Sequence, residues 1–165
     1  MNDDAQGMPP VWQGVVEGGW IDINDHVNVS GYDQLFDAAE ERLISLIGID
    51  DDSILSTGLT MFRLERLIVY ERELRRGERI ETRSRLIWTD FRRIHHFHEV
   101  WNLDQNCRAA FADTLAMHVD LRTRRAARFE RPESVAMLQR LIAGQAGQPL
   151  PSGVVPRVNG RRSQA

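Results

Sequence analysis

The chain has 165 residues, of which 42% are hydrophobic and 27% are charged, with a formal net charge of -3 at pH 7 and a pI near 6.0. These values fit one soluble globular domain and argue against a general nucleic-acid binder. No apolar run approaches the roughly 20 residues that span a bilayer, and the acidic N-terminus lacks the features of a signal peptide. We therefore expect a cytoplasmic protein with no membrane partner.

The basic residues are the most unusual part of the composition. All 21 of them are arginine and none is lysine, which excludes a Schiff-base lysine, a phosphate-loop lysine and a Ser-Lys dyad. The motifs of serine hydrolases, dinucleotide-binding folds and thiol-zinc sites are also missing. The single cysteine, Cys107, cannot form an internal disulfide. The types of catalysis that these exclusions leave open use acid, amide and imidazole side chains.

Both ends of the chain differ in composition from its centre. Residues 1–10 are polar and include two adjacent prolines, and residues 144–165 carry seven glycines and prolines without apolar periodicity. We predict flexible tails at both ends and a single domain over residues 11–143. The first element of this domain is a predicted strand over residues 11–17.

A long amphipathic helix is predicted over residues 31–47. Ser30 followed by Asp33 resembles a capping box, and Gly48 is a typical stop. The apolar residues repeat at helical spacing and share one face: Tyr32, Leu35, Phe36, Ala39, Leu43 and Ile47. A face of this kind is expected to be buried.

Strands follow a turn-rich stretch at residues 50–58. The apolar period changes from 3.6 to 2, which is typical of a half-buried strand. The predicted faces are Phe62, Leu64, Ile68 and Tyr70 on one side and Glu65, Glu71 and Glu73 on the other. Three more strands are predicted at residues 80–89, 94–103 and 107–121, and a last helix at residues 133–143. The best of several arrangements is an α+β fold whose antiparallel sheet wraps the long helix.

The segment before this helix combines three functional side chains within seven residues: Asp22-Ile23-Asn24-Asp25-His26-Val27-Asn28. It places a carboxylate, an amide and an imidazole beside a helix N-terminus. Unpaired N–H groups at such an end stabilise a carbonyl oxygen that becomes negative during reaction. Asp22 is then placed to attack a thioester or to activate water. The pattern indicates acyl-transfer chemistry.

The same segment, with Tyr32, resembles the active-site signature of hotdog-fold acyl thioesterases, including plant acyl-carrier-protein thioesterases. Many relatives have Gly where this chain has Asp25, a residue that tolerates a left-handed backbone. Three later segments are similar to bacterial thioesterases that are associated with carnitine dehydrogenase and assigned to betainyl-CoA hydrolysis. They are Tyr70-Glu71-Arg72-Glu73-Leu74 with Gly77, Arg93-Ile94-His95-His96-Phe97-His98-Glu99, and His118-Val119-Asp120-Leu121-Arg122-Thr123-Arg124-Arg125. The resemblance covers roughly residues 11–143.

The resemblance implies a hotdog fold and a thioester hydrolase that acts on a short acyl-CoA, with betainyl-CoA as the sharpest candidate. It also implies no cofactor, no metal and a homodimer with its site at the subunit interface. Asp22 is the candidate base or nucleophile, Asn24 and His26 would hold the reacting groups, and Glu73 is added from the acyl-carrier-protein thioesterases. Each residue also has an alternative, purely structural role. Asp22 would form an Asx turn, Asn24 and His26 a hydrogen-bonded loop pair, and Glu73 a solvated ion pair.

Arginines at the predicted strand ends are candidates for binding the phosphates of coenzyme A. Arg92, Arg93 and Arg124 are expected to bind them through forked hydrogen bonds, and Arg122 and Arg125 belong to the same cluster. The structural alternative is an ordinary solvated face.

Two other functions stay open. One is an acyl-CoA binding module that uses the same fold without catalysis. The other is a cupin-like metal enzyme, suggested by His95, His96 and His98 on one strand with His118 on a neighbour. The glycines and the acid that a cupin site needs are missing. Turnover of a thioester distinguishes the first alternative, and metal analysis distinguishes the second.

Overall fold

The computed structural model describes residues 12–155, 157–158 and 161–162. The elements run in the order β1 (Trp12–Val15), a 3-10 turn (Gly18–Trp20), α1 (Val29–Leu46), α2 (Asp51–Thr57), β2 (Leu59–Tyr70), β3 (Arg79–Thr89), β4 (Arg93–Asn102), β5 (Cys107–Asp120), β6 (Arg125–Ala126), α3 (Pro132–Ala143), β7 (Arg157–Val158) and β8 (Arg161–Arg162). The main sheet is antiparallel in the order β1-β3-β4-β5-β2, and β6 pairs with the end of β5. The predicted α+β architecture is confirmed.

Helix α1 packs against the sheet through the face that its sequence predicts. All six apolar residues of that face are buried, with Tyr32 the most exposed at 4%. The predicted Ser30–Asp33 cap is wrong, because the helix begins two residues earlier and its N-cap is Asn28. The Asn28 side-chain oxygen accepts a hydrogen bond of 2.9 Å from the backbone N–H of Gly31, which is the usual N-cap contact.

The stretch at residues 50–58 is a short helix, not the turn-rich connection that was predicted. Asp50 caps α2 by accepting a 2.8 Å hydrogen bond from the Ser53 N–H, and Gly58 ends the helix at φ 72°. Acidic residues in the first turn complement the positive helix end. The helix has no fully buried residue, so the sequence lacks the apolar stripe from which a helix is normally recognised.

A β-bulge corrects the predicted faces of β2. The pairing with β5 shifts between Arg63 and Glu65, so Leu64 is an extra residue that reverses the alternation. Phe62 and Leu64 are therefore exposed, at 40% and 46%, whereas Ile68 packs against the core. The bulge places Arg63 against helix α1, beside the Glu40 carboxylate. The predicted acidic face is also shorter than expected. Because β2 ends at Tyr70, only Glu65 lies on the strand, and Glu71 and Glu73 follow it.

The segment after α3 returns across the sheet. Arg85 donates to the Pro149 carbonyl at 3.0 Å, Arg108 donates to the Ser152 carbonyl at 2.8 Å, and the Val155 N–H donates to Asp113 at 3.0 Å. The predicted tail boundaries stay a prediction, and residues 1–11 lie outside the described residues. None of the helices in the described ranges combines the length and the apolar composition that a membrane crossing needs.

Candidate active site

The loop between β1 and α1 folds into a closed turn. Ile21 and Val27 form an isolated β-bridge, and the Asp22 N–H donates to the His26 carbonyl at 3.2 Å. Asp25 has φ 61°, which supports the prediction that this residue tolerates the left-handed conformation. The loop packs so closely that a Cβ at Gly31 would lie 2.8 Å from side-chain atoms of Val27 and Trp20. Glycine is therefore needed in the first turn of α1.

The Asp22 carboxylate is held by the amide two residues later. One oxygen accepts the backbone N–H of Asn24 at 2.8 Å, and the other accepts its side-chain NH₂ at 3.3 Å. This contact is the Asx turn that was expected if Asp22 has a structural role. It also fixes the direction of the half-buried Asp22 carboxylate. Asn24 itself is exposed. In this geometry it orients Asp22 and does not line the neighbouring cavity.

A cavity of about 370 Å³ opens beside this loop. Its lining residues are Asp22, His26, Val27, Asn28, Val29, Tyr32, Tyr70, Glu71, Arg72 and Glu73. Three of the four predicted catalytic residues, Asp22, His26 and Glu73, therefore meet around one space although 51 positions separate the first from the last. The chain brings them together because the Val27 N–H donates to the Leu74 carbonyl at 2.8 Å.

His26 and Glu73 already have partners in the structure. His26 Nδ1 lies 3.2 Å from the Val27 carbonyl oxygen. A carbonyl only accepts, so this contact places the ring proton on Nδ1 and leaves Nε2 as an acceptor in the neutral ring. Glu73 is paired with Arg75 at 2.5 Å, and its side chain is 52% exposed. The ion pair of the structural alternative is thus present, at the rim of the cavity.

The start of α1 adjoins the same cavity, which Val29 and Tyr32 line. The N–H groups of Gly31 and Tyr32 already donate to Asn28. Within the described part of the chain, the N–H groups of the first helical turn that lack a partner inside the helix are those of Val29 and Ser30. These donors lie one and two residues before the predicted helix start at residue 31, because the helix itself begins earlier.

Two tyrosines form the aromatic wall of the cavity. The Tyr32 and Tyr70 rings meet edge to face, with centroids 5.1 Å apart. The Tyr32 hydroxyl donates to the Arg72 carbonyl at 3.1 Å. Burial, with smaller contributions from Tyr70 and nearby carboxylates, raises the pKa of Tyr32 to about 12, so this donor stays protonated. Tyr70, which the sequence places on the apolar face of its strand, is 47% exposed.

A second cavity, of about 520 Å³, lies near β6 and the start of α3. Arginines line it from several elements: Arg92, Arg122, Arg128 and Arg131. Of the three arginines predicted to bind coenzyme A, only Arg92 is among its lining residues. Arg93 is instead paired with Asp90 at 2.6 Å and lies over the Trp88 ring. Arg124 adopts φ 57° in the turn before β6 and does not line this cavity.

One buried group of the described residues has the side chains of a metal site. Glu40, His96 and His98 place ligand atoms within 4.8 Å of one another, and His118 is not part of the group. The nitrogens that face each other are already bonded, since His96 Nδ1 lies 2.8 Å from His98 Nε2. Arg63 donates to Glu40 at 2.7 Å, and its positive charge opposes a metal cation. The absence of a metal stays a prediction. The contact between the two histidines and the Arg63 charge beside Glu40 favour it.

The fold and the site together define the class of protein. The chain belongs to the thioesterase-like superfamily, whose family model matches residues 16–140. This confirms the predicted hotdog fold and the predicted class of enzyme, a thioester hydrolase.

Two proteins are similar to this chain over most of its length. The betainyl-CoA thioesterase of Pseudomonas aeruginosa is 30% identical over 135 residues, which cover 82% of this chain and 84% of that protein. The L-carnitine dehydrogenase/betainyl-CoA thioesterase of Ruegeria pomeroyi is 30% identical over 134 residues, which cover 81% of this chain but 27% of that longer protein.

Solved structures agree on the fold. A Staphylococcus aureus protein in complex with CoA has a TM-score of 0.83 at 20% identity, covering 96% of this chain and 99% of that chain. The 1,4-dihydroxy-2-naphthoyl-CoA thioesterase of Synechocystis has a TM-score of 0.68 at 17% identity, covering 84% and 98%. At these identities the likeness concerns the fold alone.

Proposed function

We propose that this protein hydrolyses a short acyl-CoA thioester in the cavity beside Asp22. The observation that carries the proposal is the clamped Asp22 carboxylate, which lines a cavity at the start of α1. A carboxylate base and backbone N–H donors are the two components that acyl transfer needs. The first test is release of the CoA thiol from a panel of short, quaternary-ammonium, aromatic and long acyl-CoAs. Binding without turnover across that panel would favour the non-catalytic alternative.

The reaction is proposed to begin when Asp22 takes a proton from water, or attacks the carbonyl carbon itself to form a mixed anhydride that water then cleaves. The carbonyl oxygen becomes negative and is stabilised by the N–H groups of Val29 and Ser30. The C–S bond then breaks, and the CoA thiolate leaves with a proton returned from Asp22 or from water. His26 lines the same space and is placed to hold the reacting groups. No metal or organic cofactor enters these steps.

Betainyl-CoA is the proposed substrate. The relatives from Pseudomonas aeruginosa and Ruegeria pomeroyi carry this activity in their names, and the second name adds L-carnitine dehydrogenase, which supports a role beside carnitine oxidation. The cytoplasmic location stays a prediction. The cavity supports the choice because Tyr32 and Tyr70 line it with aromatic rings. Glu71 and Glu73 also line it with carboxylates, which are paired with Arg108 and Arg75. A trimethylammonium group cannot donate hydrogen bonds, so aromatic faces and nearby negative charge are its natural partners.

We expect betainyl-CoA to be hydrolysed with a kcat/KM at least about tenfold above that of 3,3-dimethylbutyryl-CoA, its uncharged isostere. One desolvated cation-π contact contributes about 2 kcal/mol, which exceeds the roughly 1.4 kcal/mol of a tenfold ratio. Tyr70→Leu should remove most of the difference, and Tyr70→Phe, which keeps the ring, should preserve it. Equal kcat/KM values for the two esters in the wild-type protein would contradict the cation pocket and leave the hydrolase assignment standing.

We expect a homodimer in solution, formed along β2. This strand has 12 residues and lies at the edge of the sheet, so one of its sides has no neighbouring strand among the described residues. Phe62 and Leu64 expose apolar surface on the same strand. Light scattering at micromolar concentration should give twice the chain mass, and Leu64→Arg should shift the protein toward the monomer. A wild-type monomer with full activity would contradict this prediction.

A further inference from the structure

The charged side chains around the Asp22 cavity balance one another. Three carboxylates line the cavity: Asp22, Glu71 and Glu73. Arg72 is also a lining residue. Arg108 donates to both oxygens of Glu71, at 2.8 and 2.7 Å, and Arg75 is paired with Glu73 at 2.5 Å. Three guanidinium groups therefore face three carboxylates, so the negative charge that attracts a cationic acyl group has to come from a further residue.

Asp33 lies on α1, one turn beyond the cavity. Val29, four residues earlier and on the same face of the helix, is a lining residue. The Asp33 charge acts on Tyr70 at the aromatic wall. Burial, together with Asp33, raises the pKa of the Tyr70 hydroxyl, and the positive charge of Arg66 opposes this to a smaller extent. The net effect of these neighbours is a negative potential beside the Tyr70 ring.

No arginine pairs closely with Asp33. Arg66 Nη1 lies 4.0 Å from an Asp33 oxygen but 2.8 Å from Asp37. Arg63 is paired with Asp37 and with Glu40, each at 2.7 Å. These three acids of α1 therefore share two arginines. Asp33 has the longest of their arginine contacts, and its side chain is 47% exposed, so its charge is the least compensated of the three.

We propose that Asp33 is a specificity-determining residue that selects an acyl group with a positive charge. The trimethylammonium group of a bound betainyl ester packs against the Tyr70 ring, where the Asp33 carboxylate attracts it. Neither interaction needs a hydrogen bond from the cation. Asp33 takes no part in the chemical step. This inference rests on the proposed function, because it concerns the acyl-CoA that is hydrolysed beside Asp22.

Three acyl-CoA esters test the role of Asp33. Each has one methylene between the thioester carbonyl and a group that is positive in betainyl-CoA, neutral in 3,3-dimethylbutyryl-CoA and negative in malonyl-CoA. In Asp33→Asn, kcat/KM should fall at least about threefold for betainyl-CoA, stay unchanged for the neutral ester and rise for malonyl-CoA, because the Coulomb energy changes sign with the charge of the acyl group. An unchanged ratio of betainyl-CoA to the neutral ester would overturn the proposal.

The opposite shifts distinguish specificity from structural damage. A distorted cavity would change kcat/KM for all three esters in the same direction, and that outcome would also count against Asp33 as a selector of charge. Asp33→Asn should keep the wild-type melting temperature, since the side chain is half-exposed and its contact with Arg66 is 4.0 Å long. Asp33→Ala, which has a higher helix propensity, is the second variant and should give the same pattern of rates.

Glu41→Gln is the matched control for loss of one negative charge. Glu41 lies on the same helix, is exposed and lines neither cavity. Its three kcat/KM values should equal those of the wild type. A loss of betainyl-CoA preference as large as that in Asp33→Asn would mean that net charge, not the position of Asp33, sets the preference.

Salt provides a second measurement. Raising sodium chloride from about 0.05 to 0.5 M should lower the betainyl-CoA preference of the wild type, because salt screens a half-exposed charge. The preference that remains in Asp33→Asn should depend less on salt. Equal salt dependence in the two proteins would contradict an electrostatic role for Asp33.

The neutral ester separates this inference from the proposed function. If the wild-type protein released no CoA from any of the three esters, the proposed function would fail and Asp33 would have no reaction to direct. If the neutral ester were hydrolysed at equal rates by the wild type and Asp33→Asn, and the betainyl-CoA preference were the same in both, only the role of Asp33 would be overturned.

Discussion

Asp22→Asn should lower kcat for the preferred acyl-CoA by at least about a hundredfold. A positioned general base typically contributes 10² to 10⁴ in rate, and Asn has nearly the same shape without the capacity to take a proton. The side-chain oxygen of the new residue can still accept the Asn24 N–H that Asp22 accepts at 2.8 Å. The closed loop and the melting temperature should therefore be preserved. Steady-state release of CoA thiol and thermal unfolding are the two measurements.

Asp25→Asn is the matched control for this variant. Asp25 lies in the same loop, is exposed, and does not line the cavity. Its φ of 61° is one that Asn adopts readily, so the change removes the same charge without strain. The rate should stay near wild type. A comparable loss in Asp25→Asn would indicate a general charge effect, and full activity in a folded Asp22→Asn protein would move the chemistry to Glu73 or elsewhere.

Periodic patterns made the main elements of the fold predictable. Helix α1 has an uninterrupted apolar face, and β3, β4, β5 and α3 begin and end within two residues of their predicted bounds. Two local features were not predicted. Helix α2 buries no residue completely, so it has no apolar stripe to recognise. The β2 bulge depends on a pairing with β5, whose residues lie 50 to 53 positions later in the chain, and no pattern within β2 marks it.

The candidate site was predictable where it is contiguous in sequence. Asp22 and His26 lie in one loop and reach one cavity, because the loop geometry is local. Contacts between distant segments were not predictable. The hydrogen bond from the Val27 N–H to the Leu74 carbonyl, which brings Glu73 to the site, could be anticipated only through the resemblance. The second cavity likewise combines arginine side chains from several elements.

A third feature that the sequence did not reveal is a polar network between α1 and the sheet, with its centre buried and its edge at Asp37 and Arg63 partly exposed. Its members are Asp37 and Glu40 on α1, Arg63 and Arg66 on β2, Ser84 on β3, and His96 and His98 on β4. Ser84 bonds His98 at 2.7 Å, and His98 bonds His96 at 2.8 Å. Only register across three strands brings these side chains together, so spacing along the chain gives no indication of it.

This network should make the protein sensitive to acid. Burial, together with the positive charges of Arg66 and Arg63, lowers the pKa of His98 from 6.5 to about 3. Burial and the neighbouring histidines lower the pKa of His96 well below its usual range. Below pH 6.5, His96 and His98 bind protons in the unfolded chain but not in the folded protein. Stability is therefore highest above pH 6.5 and falls as the pH decreases toward 3.

The expected loss is large because each proton bound only by the unfolded state changes the free energy of unfolding by about 1.4 kcal/mol per pH unit. His98 acting between pH 6.5 and 4.5 gives roughly 3 kcal/mol, a large part of the stability of a marginal domain, and His96 adds to this loss. His118, whose pKa burial also lowers, adds to the loss. Glu40 opposes it, since burial raises its pKa and its protonation relieves an unfavourable buried charge.

Urea unfolding at half-unit steps from pH 8 to 4.5 measures this dependence. The free energy of unfolding should change little between pH 8 and 7 and then fall steeply, before most exposed carboxylates titrate. His98→Gln removes one titrating ring while keeping a group that can bond Ser84. This variant should be less stable at pH 7 but lose about 1.4 kcal/mol less per pH unit below 6.5. A flat profile for the wild type, or an unchanged slope in His98→Gln, would mean that these buried rings do not control acid stability.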